Sequence, residues 1–384
     1  MTRLSFSLSL SLFYAALFSA FGVYMPFIPV WLAAKGLGPA EISICMALPM
    51  MVRLLVPFWG FAADRLRNQR LVIAVCLVVA LLAGLALISA SGFWPILGLM
   101  VLWSLFWTPT MPLTEGYAVT ESAKRLADYG RVRVWGSVSF IAANVSVGWM
   151  LDWIDELWIL PMILVCMCGA LACIGLLPPD SRRADGVARA RVGDALGLLR
   201  QRHILLFMLA AGLVQASHGL YYSFSSVHWQ AQGFSASLIG LLWAVGVTAE
   251  TALFAVATRV LGTASPQLLV LVGAVIAGVR WVLMAFDPPA SALFILQGMH
   301  AGSFAVTHMG TMKFIYQSVS PALAATGQGV YTALSAGVLT ALAMFASGPL
   351  YASLGGMAYL AMAGMCVASV VLLFSPTMRV RQAA

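Results

Sequence analysis

Long apolar runs separated by short polar stretches occupy almost the whole chain. An α-helix of about 20 apolar residues spans the hydrocarbon core of a bilayer. Such runs predict twelve membrane-spanning helices, over residues 6–34, 39–63, 70–90, 93–118, 130–151, 156–177, 203–231, 235–259, 266–286, 290–313, 325–352 and 356–376. The pattern therefore predicts an all-α polytopic membrane protein.

The longest polar interruption divides these helices into six and six. Residues 179–202 carry six arginines, and the Pro178–Pro179 pair at their start blocks helix continuation. We predict an N-terminal six-helix domain over residues 1–178, a cytoplasmic linker over 179–202 and a C-terminal six-helix domain over 203–384.

A short internal repeat relates the two halves. In each half a tryptophan precedes a glycine, and a charged residue, Arg53 or Glu250, follows that glycine by seventeen positions. Repeated halves are typical of secondary transporters, which bind substrate near the membrane midplane at the interface of the repeats. The predicted fold is therefore a pair of pseudo-symmetric six-helix domains with the substrate site between them.

Basic residues are concentrated on one predicted side of the membrane. The chain is 62% hydrophobic and 9% charged, with a net charge of +8, whereas a soluble domain has about 25% charged residues. Loop arginines and lysines fall on the side that holds both termini, and Lys35 is alone on the other side. Because basic loops stay in the cytoplasm, we predict an inner-membrane protein with both termini cytoplasmic. The excess charge then indicates membrane lipid as a partner, and no nucleic acid.

The sequence carries no signature of catalysis or of metal binding. All six cysteines fall within predicted spans, without histidines at metal-ligand spacing. A nucleophile elbow and a phosphate-binding glycine loop are also missing. We predict neither an enzyme nor a metal or cofactor site, and we expect a monomer; a transporter-like receptor is the alternative from another class.

Five charged residues interrupt the predicted helices: Arg53, Glu115, Arg133, Glu250 and Arg280. A charge at a helix centre costs about 2.5–3.5 kcal/mol on insertion scales, so such residues are kept where they face one another or a wet cavity. Three positive charges against two negative ones suit a monoanionic substrate, bound by Arg133 or Arg280. The alternative is that the arginines form fixed structural pairs, for instance Arg133 with Glu115 or Glu250.

Two polar stripes, each with a histidine, run along predicted helices. At 100° per residue, one stripe of the segment 290–313 falls within about 80°; its members are Gln297, His300, Phe304, His308 and Thr311. The stripe of the segment 203–231 contains Gln215, His218, Tyr222, Ser226 and Trp229. Because histidine titrates near neutrality, His218, His300 and His308 are candidates to relay protons. The alternative is a buried histidine with satisfied hydrogen bonds.

The end of the second predicted helix carries a recognisable pattern. Gly60, Asp64 and Arg65 resemble the cytoplasmic G-x-x-x-D-R motif of the major facilitator superfamily, although Arg67 stands where the family usually has glycine. A carboxylate beside helix termini accepts backbone N–H bonds and pairs with arginine. The resemblance implies a conformational latch between domains in the outward-facing state; the alternative is an ordinary cytoplasmic turn.

A second block resembles the helix 4–5 region of the lactose permease group. Residues 129–136 contain G-R-x-R-x-x-G, and Glu115 lies fifteen residues before the first glycine of that pattern, Gly130. The resemblance implies that Glu115 and Arg133 contact the substrate and that Phe140 replaces a ring-stacking tryptophan. The alternative is that Arg133 is a cytoplasmic-side charge at the start of a helix.

The second half continues this resemblance, with departures. The residues that match a buried acid, an arginine and a histidine of the permease are Glu250, Arg280 and His300. Ser303 stands in place of the proton-carrying glutamate, and His218 and Tyr221 stand in place of two acids. The permease's sugar chemistry and proton relay therefore do not carry over whole.

A closer resemblance, to the 3-phenylpropionate transporter branch of the superfamily, covers essentially the whole chain. It rests on residues 217–222, 239–244 and 297–301, which read SHGLYY, IGLLWA and QGMHA. It implies proton-coupled uptake of a small organic, aromatic acid by alternating access. A sugar or nucleoside symporter is the alternative. A drug/proton antiporter is disfavoured because residues 136–148 lack a Gly-Pro element.

These patterns assign candidate roles to individual residues. The candidate substrate-binding residues are Glu115, Arg133, Phe140, His218, Tyr222, Arg280, His300, Phe304 and His308. The candidate proton-coupling residues are Glu115, Glu250 and His300. The partners are then a small-molecule substrate, protons and membrane lipids.

Overall fold

The computed structural model describes residues 5–66, 68–179 and 192–376. These ranges are almost entirely helical and contain no β-strand, which confirms the all-α fold class. Their α-helices are α1 (Phe6–Ala34), α2 (Pro39–Val52), α3 (Val56–Leu66), α4 (Gln69–Ser89), α5 (Phe93–Trp107), α6 (Thr110–Lys124), α7 (Tyr129–Leu151), α8 (Ile159–Ile174), α9 (Val192–Arg200), α10 (Arg202–Ala216), α11 (Gly219–Ala231), α12 (Ala236–Leu261), α13 (Pro266–Met284), α14 (Ala290–Gly298), α15 (Val306–Ser318), α16 (Ala324–Thr332), α17 (Thr340–Leu354) and α18 (Tyr359–Leu373). Short 3₁₀ turns occupy Arg53–Leu55, Glu156–Trp158, Pro321–Leu323 and Gly355–Ala358, and π-helical segments occupy Ala301–Ala305 and Ala333–Leu339.

Each of the twelve predicted spans lies on helical structure, although breaks within the helices change the count. In the described ranges, nine helical stretches are long and apolar enough to cross a membrane. The spans predicted at 39–63 and 290–313 are interrupted and fall outside the nine. One long stretch, Ala324–Leu373, contains the two spans predicted at 325–352 and 356–376. Two broken spans and one double stretch account for the difference between nine and twelve.

The break at Arg53–Leu55 follows from the proline at position 57. Proline has no backbone N–H, so residue 57 cannot donate to the Arg53 carbonyl in the α-helical pattern. The Val56 N–H bonds that carbonyl instead, which is the i→i+3 spacing of a 3₁₀ turn. The helix resumes as α3 and ends at Leu66, three residues beyond the predicted end.

The chain forms two compact units. Unit 1 consists of the described residues of 1–185 together with 225–244, and unit 2 of the described residues of 186–224 together with 245–384. The end of α11 and the start of α12 thus group with the first half of the chain. Within the predicted linker, residues 180–191 lie outside the described ranges, and Val192–Arg200 forms α9. The domain boundaries at 178 and 203 stay predictions.

Unit 1 is organised around its first helix. α1 packs along α7 and α8, and α4 packs on α5 and α8. Gly22 brings the backbones of α1 and α7 together, since a Cβ at position 22 would lie 2.7 Å from the Phe140 carbonyl oxygen. The Lys35 ammonium donates to the carbonyls of Ile88 and Ala90 at 2.8 and 3.0 Å, which caps the last turn of α4.

Also within unit 1, the first turns of α12 cross α7 backbone against backbone. A Cβ at Gly148 would lie 2.6 Å from the Ala236 carbonyl oxygen, and a Cβ at Gly240 would collide with the Asn144 carbonyl. Small residues allow this kind of close crossing between helices in a membrane. Beside the crossing, the Gln230 amide donates to Glu156 at 2.7 Å.

We expect Gly240→Ala to lower the thermal unfolding midpoint of the purified protein. The new methyl group would meet a backbone carbonyl that cannot rotate away, and overpacking of this kind costs about 1–3 kcal/mol. Gly98→Ala is the control, because a Cβ at that position would meet no described atom within 4 Å other than the backbone of its own helix turns and its chain neighbours; its midpoint should hold or rise through helix propensity. Equal midpoints for the two variants would contradict the close crossing of α7 and α12.

Unit 2 is built on α10 and α13. α13 packs against α15 and α18, and α10 packs against α18 and the π-helical segment Ala333–Leu339. Two polar contacts tie these helices together: the Trp281 indole donates to the Ser217 hydroxyl at 2.9 Å, and the Ser369 hydroxyl donates to the Ala210 carbonyl at 2.8 Å. This packing surrounds the buried Arg280 side chain, which has no exposed surface.

Candidate functional site

The first cluster of predicted residues joins α6 and α7 in unit 1. Arg133 Nε donates to Glu115 Oε1 at 2.9 Å. The other carboxylate oxygen of Glu115 accepts from the Tyr14 hydroxyl at 3.0 Å and from the Tyr129 hydroxyl. One arginine and two phenols therefore hold this carboxylate.

Arg133 keeps much of its guanidinium available for a further partner. Its side chain is 35% exposed, and its Cζ lies 4.3 Å from the Phe18 ring centroid. Within the described part of the chain, Glu115 bonds Nε alone, which leaves the Nη donors for another acceptor. Gly136 leaves room beside them, since a Cβ there would lie 3.1 Å from Nη1. The cluster thus presents a cation and an aromatic face to a planar anion such as a carboxylate.

Two other residues of α7 have different surroundings. The Arg131 side chain is 88% exposed and lies 3.3 Å from Asp128, which is the helix-start position expected of a cytoplasmic-side charge. Phe140 is buried, and the backbone at this position contacts α1 at Gly22. Its role as a ring that stacks on substrate stays a prediction.

The second cluster lies in unit 2 and is centred on Arg280. The guanidinium donates through Nη2 to Gln297 Oε1 at 3.0 Å and through Nη1 to His300 Nδ1 at 3.1 Å. The same Gln297 oxygen accepts from the Tyr221 hydroxyl at 2.9 Å. The rings of Tyr221 and Trp281 lie 4.8 and 4.6 Å from Arg280 Cζ. This charge is fully buried and held in place, whereas Arg133 is half-buried.

The bond from Arg280 fixes the tautomer of His300. Arginine only donates, so His300 Nδ1 must accept and carries no proton in this arrangement. The ring proton then resides on Nε2, which lies 3.5 Å from Glu250 Oε2. His300 is therefore a neutral imidazole that connects the buried Arg280 to Glu250, whose side chain is 22% exposed.

His218, at the end of α10, is fully buried with hydrogen-bond partners on both ring nitrogens. Its Nδ1 lies 3.1 and 3.2 Å from the carbonyls of Val214 and Gln215, and because carbonyls only accept, Nδ1 carries a proton. Its Nε2 lies 3.2 Å from the Ser303 hydroxyl. This arrangement fits a histidine with satisfied hydrogen bonds, and its role toward substrate stays a prediction.

Three predicted ring-bearing residues of unit 2 are partly exposed: Tyr222, Phe304 and His308. Phe304 stacks on His300 with the ring centroids 5.3 Å apart. His308 packs edge-on against Phe254, with centroids 6.3 Å apart. These rings have the exposure that contact with a substrate requires, whereas the rings of Tyr221 and Trp281 are buried around Arg280.

The predicted residues thus form two clusters, one in each unit, and each cluster contains residues that sequence reasoning did not single out. In unit 1 these are Tyr14 and Phe18, which line Arg133 from α1. A tyrosine and a phenylalanine four positions apart in an apolar span share one helix face. This spacing is the sequence feature that could have identified them. In unit 2 the missed residue is Trp281, which adjoins Arg280 in sequence.

The predicted latch residues lie at the end of α3. Gly60 and Asp64 belong to this helix, and Arg65 lies in its last turn with an exposed side chain. The Asp64 side chain and the whole of Arg67 lie outside the described residues. The latch therefore stays a prediction. Arg53, the remaining intramembrane charge, lies in the 3₁₀ turn between α2 and α3 with an exposed side chain.

Long apolar helices in both units, with charged residues inside the spans, are those of a multi-pass membrane protein. Residues 7–361 match the sequence profile of the MFS_1 like family. The chain belongs to this family of the major facilitator superfamily, which confirms the family predicted from the sequence.

Individual relatives give the same picture. The chain is 31% identical over 316 residues to the "Probable 3-phenylpropionic acid transporter" of Escherichia coli (strain K12), a match that covers 80% of this chain and 81% of that protein. It is 27% identical over 325 residues to the maltose permease of Geobacillus stearothermophilus, covering 84% and 82%. The crystal structure of the nucleoside transporter NupG superposes with a TM-score of 0.84 at 17% identity, over 97% of this chain and 100% of that one. This likeness shows the major facilitator fold.

Proposed function

We propose that this protein is a symporter that uses the proton gradient to carry a small aromatic carboxylic acid into the cell across the inner membrane. The observation that carries the proposal is the Arg133 site, a half-buried cation with spare Nη donors beside the Phe18 ring. A carboxylate joined to an aromatic ring matches both features. The name of the Escherichia coli relative supports the same class of substrate.

In this proposal Arg133 donates to the substrate carboxylate, and Glu115 competes with the substrate for the same guanidinium. Tyr14 and Tyr129 hold Glu115 when the guanidinium turns to the substrate. The remaining proposed substrate contacts are Phe140, His218, Tyr222, Arg280, His300, Phe304 and His308. Of these, the partly exposed rings of Tyr222, Phe304 and His308 are favoured by their accessibility.

Glu250 is the proposed proton carrier, with His300 and Arg280 behind it. Its side chain is 22% exposed and faces the Nε2–H of His300. A change of charge on Glu250 is felt through this imidazole by the buried Arg280, which can reorganise the hydrogen bonds of unit 2. Glu115, in contrast, is held by an arginine and two phenols. The contact with an imidazole, a group that titrates near neutrality, favours Glu250 over Glu115 as the acid that takes up and releases the proton.

The proposal includes an orientation and a set of partners. Both termini lie in the cytoplasm, and the basic cytoplasmic loops interact with anionic lipid, following the distribution of arginine and lysine along the sequence. The protein acts as a monomer. Asp64 and Arg65, at the end of α3, latch the cytoplasmic side when the carrier faces outward.

Purified protein in liposomes tests the proposed function. An inward proton gradient should drive accumulation of radiolabelled 3-phenylpropionate, and a protonophore should abolish it. A substrate that binds only the folded protein should also raise the thermal unfolding midpoint of the protein in detergent. Accumulation that survives the protonophore would contradict proton coupling. If the protein transports only uncharged compounds, the substrate is not a carboxylic acid.

A sugar is the second candidate, because a maltose permease is among the relatives and the Glu115–Arg133 pair resembles a sugar-binding arrangement. A pair of this kind binds hydroxyl groups when both partners keep their bond and offer their remaining donors and acceptors. Maltose and uridine therefore belong in the same transport assay. If maltose accumulates and phenylpropionate does not, the sugar assignment replaces the acid.

A further inference from the structure

The helix that carries His300 and His308 is not a regular α-helix. At 100° per residue, the eight steps between these histidines would leave their side chains about 80° apart. The π-helical segment Ala301–Ala305 lies between them, with its Val306 N–H bonded to the Ala301 carbonyl. A single π turn takes up one extra residue, so the same eight steps fall only about 20° short of two full turns. The π segment therefore narrows the angle between the two histidines from about 80° to about 20°.

One stripe of α12 lies against the two histidines. Gly246, Glu250 and Phe254 follow one another at four-residue spacing on this helix. A Cβ at Gly246 would lie 3.7 Å from His300 Cβ, and Glu250 Oε2 lies 3.5 Å from His300 Nε2. One turn further, the Phe254 ring packs against the His308 ring, with the ring centroids 6.3 Å apart. Glu250 thus lies on α12 between Gly246, which adjoins His300, and Phe254, which adjoins His308.

Gln215 of α10 is attached to the π segment from the other side. Its Nε2 donates to the Phe304 carbonyl at 3.2 Å, and its side chain is 8% exposed. The Tyr331 hydroxyl, on α16, lies close to the same amide. A buried amide bonded to a carbonyl within a π segment favours the register in which that carbonyl faces it.

We propose that Gln215 is a positioning residue that holds the π-helical register of Ala301–Ala305, so that His300 and His308 both face Glu250. The consequence for transport rests on the proposed role of Glu250 as proton carrier. When both imidazoles face Glu250, a proton on this carboxylate can pass to His300 on one side or to His308 on the other. In an α-helical register the two histidines would lie about 80° apart, at the two edges of their stripe, and would not both point along the same line toward this carboxylate.

Cysteine cross-linking tests the register without any transport. In a chain whose six native cysteines are replaced by serine, the pair Gly246→Cys with His300→Cys should form a disulfide, since Cβ atoms about 3.8 Å apart suit one. The pair Phe254→Cys with His308→Cys should react with a short bifunctional thiol reagent. In the Gln215→Leu background we expect one of the two pairs to lose most of its cross-linking. Deletion of Gly302, which removes the extra residue, should give the same pattern.

Ser369→Ala is the matched control for this experiment. It also removes one buried bond from a side chain to a backbone carbonyl, and the carbonyl belongs to α10. Both pairs should link normally in this variant. If Gln215→Leu does not yield folded protein, Gln215→Met keeps the side-chain volume and removes only the donor. Two pairs that link at wild-type rates in a folded Gln215 variant would overturn the proposal.

A transport measurement separates this proposal from the proposed function. Gln215→Leu should lower proton-driven accumulation about tenfold, as a displaced functional group does, while exchange of labelled for unlabelled substrate continues at equal pH. If the wild-type protein accumulates no acid and the cross-links still shift, the register stands and the acid symport fails. If accumulation is proton-driven and the cross-links do not shift, the register proposal fails alone.

Discussion

Arg133→Gln should raise the concentration of aromatic acid needed for half-maximal uptake about tenfold to a hundredfold, because hydrogen bonds to a charged group contribute about 1.5–3 kcal/mol. Glutamine can donate one neutral bond where the guanidinium offers two charged ones. The half-maximal concentration of Arg133→Lys should lie between those of the wild type and Arg133→Gln, since lysine keeps the charge without the planar pair of donors. The measurement is initial uptake into proteoliposomes over a range of substrate concentrations.

Two controls separate binding of the substrate from support of Glu115. Arg131→Gln makes the same chemical change two residues away, on a side chain that is 88% exposed and paired with Asp128; uptake should not change. The double variant Glu115→Gln/Arg133→Gln removes both charges and retains groups that can bond each other. If Arg133 serves only as the fixed partner of Glu115, the double variant recovers uptake. If Arg133 binds the carboxylate, it does not.

The helical fold follows from properties that are local in the sequence. The length and apolarity of each run decide whether it spans a membrane, and all twelve predicted runs lie on helices. The break at Arg53–Leu55 can also be predicted from the sequence, because Pro57 lacks the N–H that an unbroken helix needs. The π segment at Ala301–Ala305 carries no such marker. It packs against α13 and α10, and the predicted stripe of 290–313 was drawn on a regular helix without it.

The sites were predictable only in part, for the same reason. Residue type and resemblance brought out Glu115 and Arg133, and the structure places them 2.9 Å apart across α6 and α7. The contribution of Tyr14 depends on how α1 packs, since it reaches Glu115 across 101 residues of sequence. Arg280 shows the opposite case. Its charge suggested contact with substrate, but neighbours distant in sequence bury it completely, which separates its role from that of Arg133.

Glu250→Gln should abolish proton-driven accumulation and leave exchange intact. An amide has nearly the size of the carboxylate and can still accept from His300 Nε2, so the packing of unit 2 should survive. The amide cannot take up or release a proton, so the return of the empty carrier is no longer coupled to proton release. Exchange of labelled for unlabelled substrate at equal pH does not need that step. We therefore expect counterflow near the wild-type rate and no net uptake against a gradient.

Glu156→Gln and Glu115→Gln make the Glu250 result specific. Glu156 also accepts a bond from a neutral group, the Gln230 amide, and it lies outside both charged clusters, so its variant should accumulate substrate normally. Glu115→Gln should act mainly on substrate affinity, because it releases Arg133 from its anionic partner. If Glu250→Gln accumulates substrate and Glu115→Gln does not, the proton carrier lies in unit 1. If both accumulate substrate with full dependence on the proton gradient, neither carboxylate is the coupling group, and a histidine facing Glu250 has to be tested next.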